Sequence, residues 1–215
     1  MPTLDVQGML FDLDGVLVDS TAGVNRVWWD WAVRNRLDPE ETTNIAHGRR
    51  SIDTVRLLTP HLDAEAELAD LEAREIAESY DIAVFDGAGQ LLTSIPPERL
   101  AIVTSGTRAL ATTRLKAAGL PIPERMITAD DIECGKPDPE PYLRGAALLH
   151  LPPARCAVVE DAPSGIRSAR EAGVGTIFSV STTYPASQLG EATVQLPALV
   201  QLRAKIMHDI IRLSW

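Results

Sequence analysis

The segment that most constrains this chain lies near its start, where an apolar run leads directly into two aspartates and a glycine. The run contains Val6, Met9, Leu10 and Phe11, and Asp12-Leu13-Asp14-Gly15 follows. A short apolar run of this kind predicts a buried strand of a parallel sheet. Such sheets bind ligands at the carboxyl ends of their strands, and glycine lets the chain turn sharply there. Two carboxylates at that edge repel each other and predict a site for a hard cation, most simply Mg2+.

Three further segments place polar residues after apolar strands or within a turn. They are Ile102-Val103-Thr104-Ser105-Gly106, Gly135-Lys136-Pro137-Asp138-Pro139 and Val158-Val159-Glu160-Asp161. Together with the first segment, and in this order, they resemble the four motifs of the haloacid dehalogenase superfamily. The resemblance covers most of the chain. It implies an α/β fold with a doubly wound, Rossmann-like parallel sheet and an inserted α-helical cap.

Hydrophobic patterning agrees with an alternation of strands and helices in most of the chain. Strands are predicted at 6–12, 99–105, 125–129, 156–160 and 175–180, and helices at 107–118, 139–149 and 164–172. This alternation predicts right-handed crossovers and a doubly wound sheet. Gly119 and Gly173 stand where two of the helices should end.

Two stretches depart from the alternation. Between the first two motifs, the pattern predicts helices at 20–36, 39–47, 51–58 and 63–80 and no strand. We therefore expect a core domain of residues 1–19 and 86–215 and a helical cap of residues 20–85. The last stretch, 198–215, has apolar residues at helical spacing and predicts an amphipathic helix that covers the core.

Composition excludes several classes of function. The 215 residues carry a net charge of −10, which argues against nucleic acid as a partner, because binding to the phosphate backbone needs a basic surface. No apolar run approaches the length of a membrane span, and the N-terminus lacks a secretory signal. Two cysteines form no disulfide framework. We expect a cytoplasmic protein without a membrane partner that acts as a monomer, with a homodimer as the alternative. The resemblance implies that its partner is a small phosphorylated metabolite.

The resemblance also implies a role for each motif residue. Asp12 is expected to be the nucleophile, and Asp14 the general acid that later serves as the base. Lys136 should neutralise negative charge on the phosphoryl group and on Asp12. Thr104 and the amides of Ser105 and Gly106 should hold the phosphoryl oxygens. The metal ligands are expected to be the side chains of Asp12 and Asp161, the backbone carbonyl of Asp14, and Glu160 directly or through water. Capping of helices is the alternative role for Glu160, Asp161, Thr104 and Ser105.

Residues that are missing narrow the choice of reaction. The dehalogenases of the superfamily lack an acid at the position of Asp14, and its phosphonatases need a cap lysine. The lysines of this chain are Lys116, Lys136 and Lys205, so the predicted cap has none. The β-phosphoglucomutase branch has a histidine where this chain has Val24. Hydrolysis is therefore the expected reaction, and a phosphomutase and a non-catalytic phosphometabolite-binding protein are the alternatives.

The predicted cap contains one segment that points to a substrate class. The stretch from His47 to Thr54 resembles the HGxxxxDT segment of the sugar and polyol phosphatase branch, which includes glycerol-3-phosphatases and 2-deoxyglucose-6-phosphatases. It implies substrate binding by His47, Arg49, Arg50 and Asp53, with an ion pair between Asp53 and Arg50 or Arg56 as the alternative. The planar guanidinium suits phosphate or sugar oxygens. The expected function is a Mg2+-dependent phosphatase for a small sugar or polyol phosphate that forms an aspartyl-phosphate intermediate.

Overall fold

The computed structural model describes residues 1–80 and 82–215, and the backbone alone of residue 81. The strands are β1 (Thr3–Val6), β2 (Gly8–Phe11), β3 (Val18–Asp19), β4 (Ala83–Val84), β5 (Leu100–Val103), β6 (Met126–Ile127), β7 (Cys156–Glu160), β8 (Thr176–Val180), β9 (Val194–Leu196), β10 (Arg203–Met207) and β11 (Ile210–Ser214). The α-helices are α1 (Thr21–Arg34), α2 (Pro39–Ala46), α3 (Ser51–Leu58), α4 (Ala64–Ala77), α5 (Ala88–Ser94), α6 (Arg108–Ala117), α7 (Glu140–Leu148) and α8 (Pro163–Glu171).

A six-stranded parallel sheet forms the centre of the molecule, in the order β6-β5-β2-β7-β8-β9. Every residue of β2, β5 and β7 is buried, as expected for strands covered on both faces. Alternate side chains enter two apolar clusters, so that Phe11 packs on one face of the sheet and Leu10 on the other. The predicted doubly wound α/β core is confirmed, and its central strand leads into Asp12.

The helical insert lies between β3 and β4, which pair antiparallel with Val18 opposite Val84. Its helices α1 to α4 lie within the stretches predicted to be helical, and they enclose a small apolar cluster that includes Trp28, Trp31 and Leu71. The chain therefore leaves and re-enters the core through two adjacent short strands. The exact domain limits, 1–19 with 86–215 and 20–85, stay a prediction.

The predicted C-terminal helix is wrong. Residues 203–214 form a hairpin of β10 and β11, and β11 also pairs antiparallel with β1 at the other end of the chain. Ile211 and Leu213 are fully buried, while the intervening Arg212 is paired with Asp5 at the surface. The apolar residues of this stretch fit a period of 3.6 and a period of 2, and the non-local partner β1 decides in favour of strands.

Helix ends follow the sequence more closely. Gly119 and Gly173 have φ values of 65° and 74° just after α6 and α8, the left-handed conformation that glycine adopts without cost. The structure also adds α5, β1 and β9, which the patterning did not predict. Among the helices described, none combines the length and apolar character needed to cross a membrane.

Candidate active site

Asp12 lies at the carboxyl end of the central strand. Its backbone N–H donates to the carbonyl of Val159 at 3.0 Å, which continues the pairing of β2 with β7 by one residue. The chain then turns at Gly15, where φ is 79° and a Cβ atom would overlap the carboxylate of Asp161. This close approach requires glycine, and it brings Asp12, Asp14 and Asp161 to one edge of the sheet.

Lys136 is buried behind Asp12. Its Nζ donates to Asp12 Oδ1 at 2.7 Å, to Glu160 Oε1 at 2.7 Å and to the carbonyl of Val103 at 3.1 Å. Burial disfavours the charged ammonium, yet the two carboxylates outweigh it and raise the pKa of Lys136. Burial raises the pKa of Asp12 to about 7, and the attraction of Lys136 offsets only part of this shift.

Glu160 makes contacts that suit a positioning role. Its Oε1 accepts hydrogen bonds from Lys136 and from the hydroxyl of Tyr142, and its Oε2 accepts from the backbone N–H groups of Asp161 and Ala162. These four bonds occupy the carboxylate and orient it toward Lys136. Binding of a metal by Glu160, directly or through water, therefore stays a prediction. The contacts observed for Glu160 indicate that it holds Lys136 in position.

The charges at this edge fit a divalent cation. Carboxylate oxygens of Asp12, Glu160 and Asp161 lie within 4.8 Å of one another, and all three residues are buried. The single positive charge of Lys136 opposes these three carboxylates, which leaves an excess of negative charge away from water. Burial, together with the charges of Glu160 and Asp12, raises the pKa of Asp161. Oxygen ligands with excess negative charge suit Mg2+, and the Mg2+ site stays a prediction.

The predicted phosphate-binding segment follows β5. Thr104 is buried, and its Oγ1 accepts from the backbone N–H of Gly106 at 3.1 Å, so the hydroxyl stabilises the turn. The hydroxyl of Ser105 donates to the carbonyl of Gly48 in the helical insert at 3.1 Å, and that of Ser164 donates to the same carbonyl at 3.2 Å. Ser105 thus also links the core to the insert.

A cavity of about 70 Å3 lies between this edge and the helical insert. Its lining includes the predicted residues Asp12, Asp14, Thr104, Ser105, Gly106, Asp161, His47 and Arg49. His47 donates through Nε2 to Asn25 Oδ1 at 2.7 Å, because an amide oxygen only accepts. Burial lowers the pKa of His47, although the nearby charge of Asp14 acts in the opposite direction. Within the described residues, Arg49 forms no ion pair, which leaves its charge available in the cavity wall.

Arg50 and Asp53 lie elsewhere, and neither lines this cavity. The Arg50 guanidinium pairs with Asp53 at 2.7 Å and donates to the carbonyls of Ile132 and Glu133 at 3.0 and 2.7 Å. The hydrogen bonds that orient the Arg50 guanidinium are therefore all made to other groups of the protein. The alternative of an Arg50–Asp53 ion pair is the one that the structure contains, and the pair docks the insert on the segment that precedes Lys136.

The three tryptophans of α1 differ in how far they are exposed to solvent. Trp28 and Trp31 are buried and meet edge to face at 5.3 Å, and Trp28 also lines the cavity. Trp29 is half-exposed. The first helix of the insert therefore contributes one indole to the cavity wall.

Sequence reasoning missed an ion-pair chain in the cavity wall. Arg114 of α6 donates to Asp14 Oδ2 at 2.8 Å and to Glu75 Oε2 of α4 at 2.7 Å. Ser20 donates to the other Asp14 oxygen at 2.6 Å. Both Arg114 and Glu75 are almost fully buried. The sequence holds one signal for these two residues. Arg114 follows the buried Leu110 by four positions and Glu75 follows the buried Leu71 by four positions, so each shares a helix face with a buried leucine.

Comparisons with known proteins agree with this geometry. A family model of haloacid dehalogenase-like hydrolases matches residues 6–173. The chain belongs to this family. Hexitol phosphatase A of Escherichia coli is 42% identical over 201 residues, which cover 91% of this chain and 93% of that protein. Glycerol-1-phosphate phosphohydrolase 2 of Saccharomyces cerevisiae is 34% identical over 88% of this chain and 80% of that protein.

A solved structure gives the same fold. The β-phosphoglucomutase of Clostridium difficile superimposes with a TM-score of 0.78 at 19% identity, and the match covers 92% of this chain and 93% of that chain. At this identity the likeness concerns the fold alone. The family, the motif residues and the phosphatase relatives identify the chain as an enzyme, a phosphatase of the haloacid dehalogenase-like type.

Proposed function

We propose that this enzyme hydrolyses a small sugar phosphate or polyol phosphate in a Mg2+-dependent reaction through an aspartyl-phosphate intermediate on Asp12. The observation that carries the proposal is the position of Asp12, which lies at the end of the central strand, is paired with Lys136 and lines a cavity with Asp14 and Asp161. The hexitol and glycerol-phosphate specificities in the relatives' names support the substrate class.

The chemistry takes place in two steps. A carboxylate oxygen of Asp12 forms a bond to phosphorus while the bond from phosphorus to the ester oxygen breaks. Asp14 gives its proton to that oxygen, which leaves as an alcohol. Water then forms a bond to the phosphorus of the aspartyl phosphate as the bond to Asp12 breaks, and Asp14 accepts the proton of the water. Inorganic phosphate and the free Asp12 carboxylate result.

The surrounding residues stabilise negative charge. Lys136 lies against Asp12 and can oppose the charge that the phosphoryl group brings. The amide of Ser105 and the guanidinium of Arg49 offer donors to phosphoryl or hydroxyl oxygens, whereas the amide of Gly106 donates to Thr104 Oγ1 in this structure. Magnesium, held by the side chains of Asp12 and Asp161 and the carbonyl of Asp14, would supply Lewis-acid neutralisation of the phosphoryl oxygens.

The wall of the cavity supports hydrolysis over mutase chemistry. Val24 lines the cavity at the position where the mutase pattern has a histidine, so the structure places an apolar side chain there. Val24 cannot make the hydrogen bond by which a histidine at this position would hold Asp14 back from activating water. The predicted cap also contains no lysine to bind a second phosphate.

The test is phosphate release from a panel of hexitol, glycerol, sugar and nucleotide monophosphates with and without Mg2+. We expect release from polyol or sugar phosphates that requires Mg2+ and is lost in Asp12→Asn. The matched control is Asp30→Asn, which changes an exposed aspartate of α1. No release from any member of the panel, or equal release by the Asp12→Asn variant, would contradict the proposal.

A further inference from the structure

The buried pair of Arg114 and Glu75 joins the core to the helical insert at the point where Asp14 is held. Arg114 projects from α6 of the core, and Glu75 from α4 of the insert. The guanidinium donates to Glu75 at 2.7 Å through one terminal nitrogen and to Asp14 at 2.8 Å through the other. Its Nε is buried without a partner among the described residues, so the two carboxylates determine where the guanidinium lies.

Asp14 has a second contact at the boundary between core and insert. Ser20 donates to its Oδ1 at 2.6 Å and immediately precedes α1, the first helix of the insert. Both oxygens of Asp14 are therefore occupied, one by a residue at the start of the insert and one by a guanidinium bound to the insert. A carboxylate that transfers protons must be aimed at the ester oxygen and then at water, because proton transfer requires hydrogen-bond reach.

We infer that Arg114 is a positioning residue that fixes the aim of Asp14, and that Glu75 makes this aim depend on the position of the helical insert. When the insert lies as observed, Glu75 holds the guanidinium and the guanidinium holds Asp14. When the insert moves away, Arg114 loses one of its two anchors and Asp14 loses a fixed partner. This inference rests on the proposed function of Asp14 and adds two residues that the motifs do not contain.

Substrates with different leaving groups distinguish a positioning role of Arg114 from a merely structural one. The alcohol of glycerol 1-phosphate or n-propyl phosphate needs a proton from Asp14 as it leaves, whereas acetyl phosphate leaves as acetate without one. The ratio kcat/KM reports the first phosphoryl transfer, so it depends on the aim of Asp14 only for the alkyl phosphates. Loss of fold or of phosphate binding would lower kcat/KM for all three alike.

We expect Arg114→Met to lower kcat/KM for both alkyl phosphates by about 100-fold, the lower end of a general-acid contribution, and to change that for acetyl phosphate less than about 3-fold. Arg114→Lys should restore part of the loss because it keeps a cation. Glu75→Gln should give a smaller loss with the same selectivity, and the double variant should lose no more than Arg114→Met alone. The matched control is Arg74→Met, which removes an exposed arginine next to Glu75 on α4.

Three results would overturn the inference. One is an equal loss for alkyl phosphates and acetyl phosphate in a folded Arg114→Met protein. Another is a loss with glycerol 1-phosphate but not with n-propyl phosphate, since this would make Arg114 a contact for a substrate hydroxyl. The third is wild-type behaviour of both Arg114→Met and Glu75→Gln. If Arg114→Met fails to fold, Glu75→Gln, which keeps a hydrogen-bonding side chain, decides between selective and uniform loss.

Failure of the proposed function gives a different pattern. If the wild-type protein hydrolyses acetyl phosphate but no sugar, polyol or alkyl phosphate, the proposed substrate class is wrong. The positioning role is then judged on kcat for acetyl phosphate, because Asp14 still activates the water that cleaves the aspartyl phosphate. A lower kcat with unchanged kcat/KM in Arg114→Met supports the role, and unchanged values of both overturn it.

Discussion

The ammonium of Lys136 lies 2.7 Å from the carboxylate of Asp12 in a part of the molecule that excludes water. The same ammonium is bound by Glu160, which Tyr142 and two backbone amides orient in turn. The position of the proposed nucleophile is therefore fixed by a chain of contacts that starts in α7 and β7. Replacing the lysine would leave two buried carboxylates without their shared cation.

Lys136→Met should abolish most activity and destabilise the protein. Loss of one preorganised charge near the phosphoryl group is expected to lower kcat by at least about 100-fold. Removing one partner of a buried ion pair is expected to lower the free energy of unfolding by about 3–5 kcal/mol. Steady-state kinetics and urea unfolding measure the two effects. Lys116→Met on the exposed side of α6 is the control, and a Lys136→Met protein with the kinetics of that control would refute the role.

The raised pKa of Asp12 predicts a pH-dependent effect of Mg2+ on stability. The pKa of Asp12 is about 7 in the folded metal-free protein, whereas an unperturbed aspartate has a pKa of 3.8. Between these two pH values, the folded state therefore binds more protons at Asp12 than the unfolded state does. The contribution of Asp12 to stability is therefore complete below about pH 4 and decreases as the pH rises through 7. Mg2+ favours the ionised carboxylates, so it should raise the Tm more at pH 8 than at pH 5.5.

Thermal unfolding with Mg2+ or EDTA across this pH range measures the effect. The Asp12→Asn variant cannot ionise at this position. In this variant, the increase in Tm that Mg2+ causes should therefore differ less between pH 5.5 and pH 8. A Mg2+ stabilisation of equal size at both pH values in the wild-type protein would contradict the assignment of Asp12 to the metal site.

Gly165→Ala should displace Glu160 from its position beside Lys136. A Cβ atom at Gly165 would overlap the carboxylate of Glu160, whereas one at Gly190 meets no atom within 4 Å. We expect Gly165→Ala to lower both kcat and the Tm, because the shift of Glu160 disturbs the hydrogen bonds around Lys136. Gly190→Ala should change neither by more than a small amount. Equal kinetics of the two variants would show that Glu160 is free to move without consequence.

The C-terminal hairpin predicts a large difference between two leucines. Leu213 of β11 is fully buried against the core, whereas Leu143 of α7 is 44% exposed. Leu213→Ala should lower the free energy of unfolding by about 2–5 kcal/mol, as for other buried leucines, and Leu143→Ala by less than about 1 kcal/mol. Urea unfolding measures both. Equal stability of the two variants would mean that the hairpin is not part of the cooperative core.

The sequence predicted the central sheet well because its strands are short, apolar and each followed by chemically distinctive residues. Asp12, Thr104 and Asp161 follow neighbouring strands, and parallel strands bring their carboxyl ends to one edge. The helical insert was also predicted, since its helices have clear starts such as Asp38, which caps α2. The C-terminal hairpin was missed because its partner β1 lies some two hundred residues away, and periodicity cannot report a non-local partner.

Cap residues were harder to place for a related reason. Arg49 and Arg50 are adjacent and chemically identical, yet Arg49 lines the cavity and Arg50 binds Asp53 and two backbone carbonyls. The direction of each side chain depends on how the insert docks on the core. The same holds for Arg114 and Glu75, whose pairing depends on the approach of α4 to α6.

The measurement that tests the central claim most directly is rapid-quench mass spectrometry of the enzyme during turnover of a polyol phosphate with Mg2+. We predict that the peptide containing Asp12 gains the mass of one phosphoryl group early in the reaction, and that Asp12→Asn gains none. A phosphoryl group on another residue, or turnover without any phosphorylated peptide when the quench precedes the first turnover, would contradict Asp12 as the nucleophile.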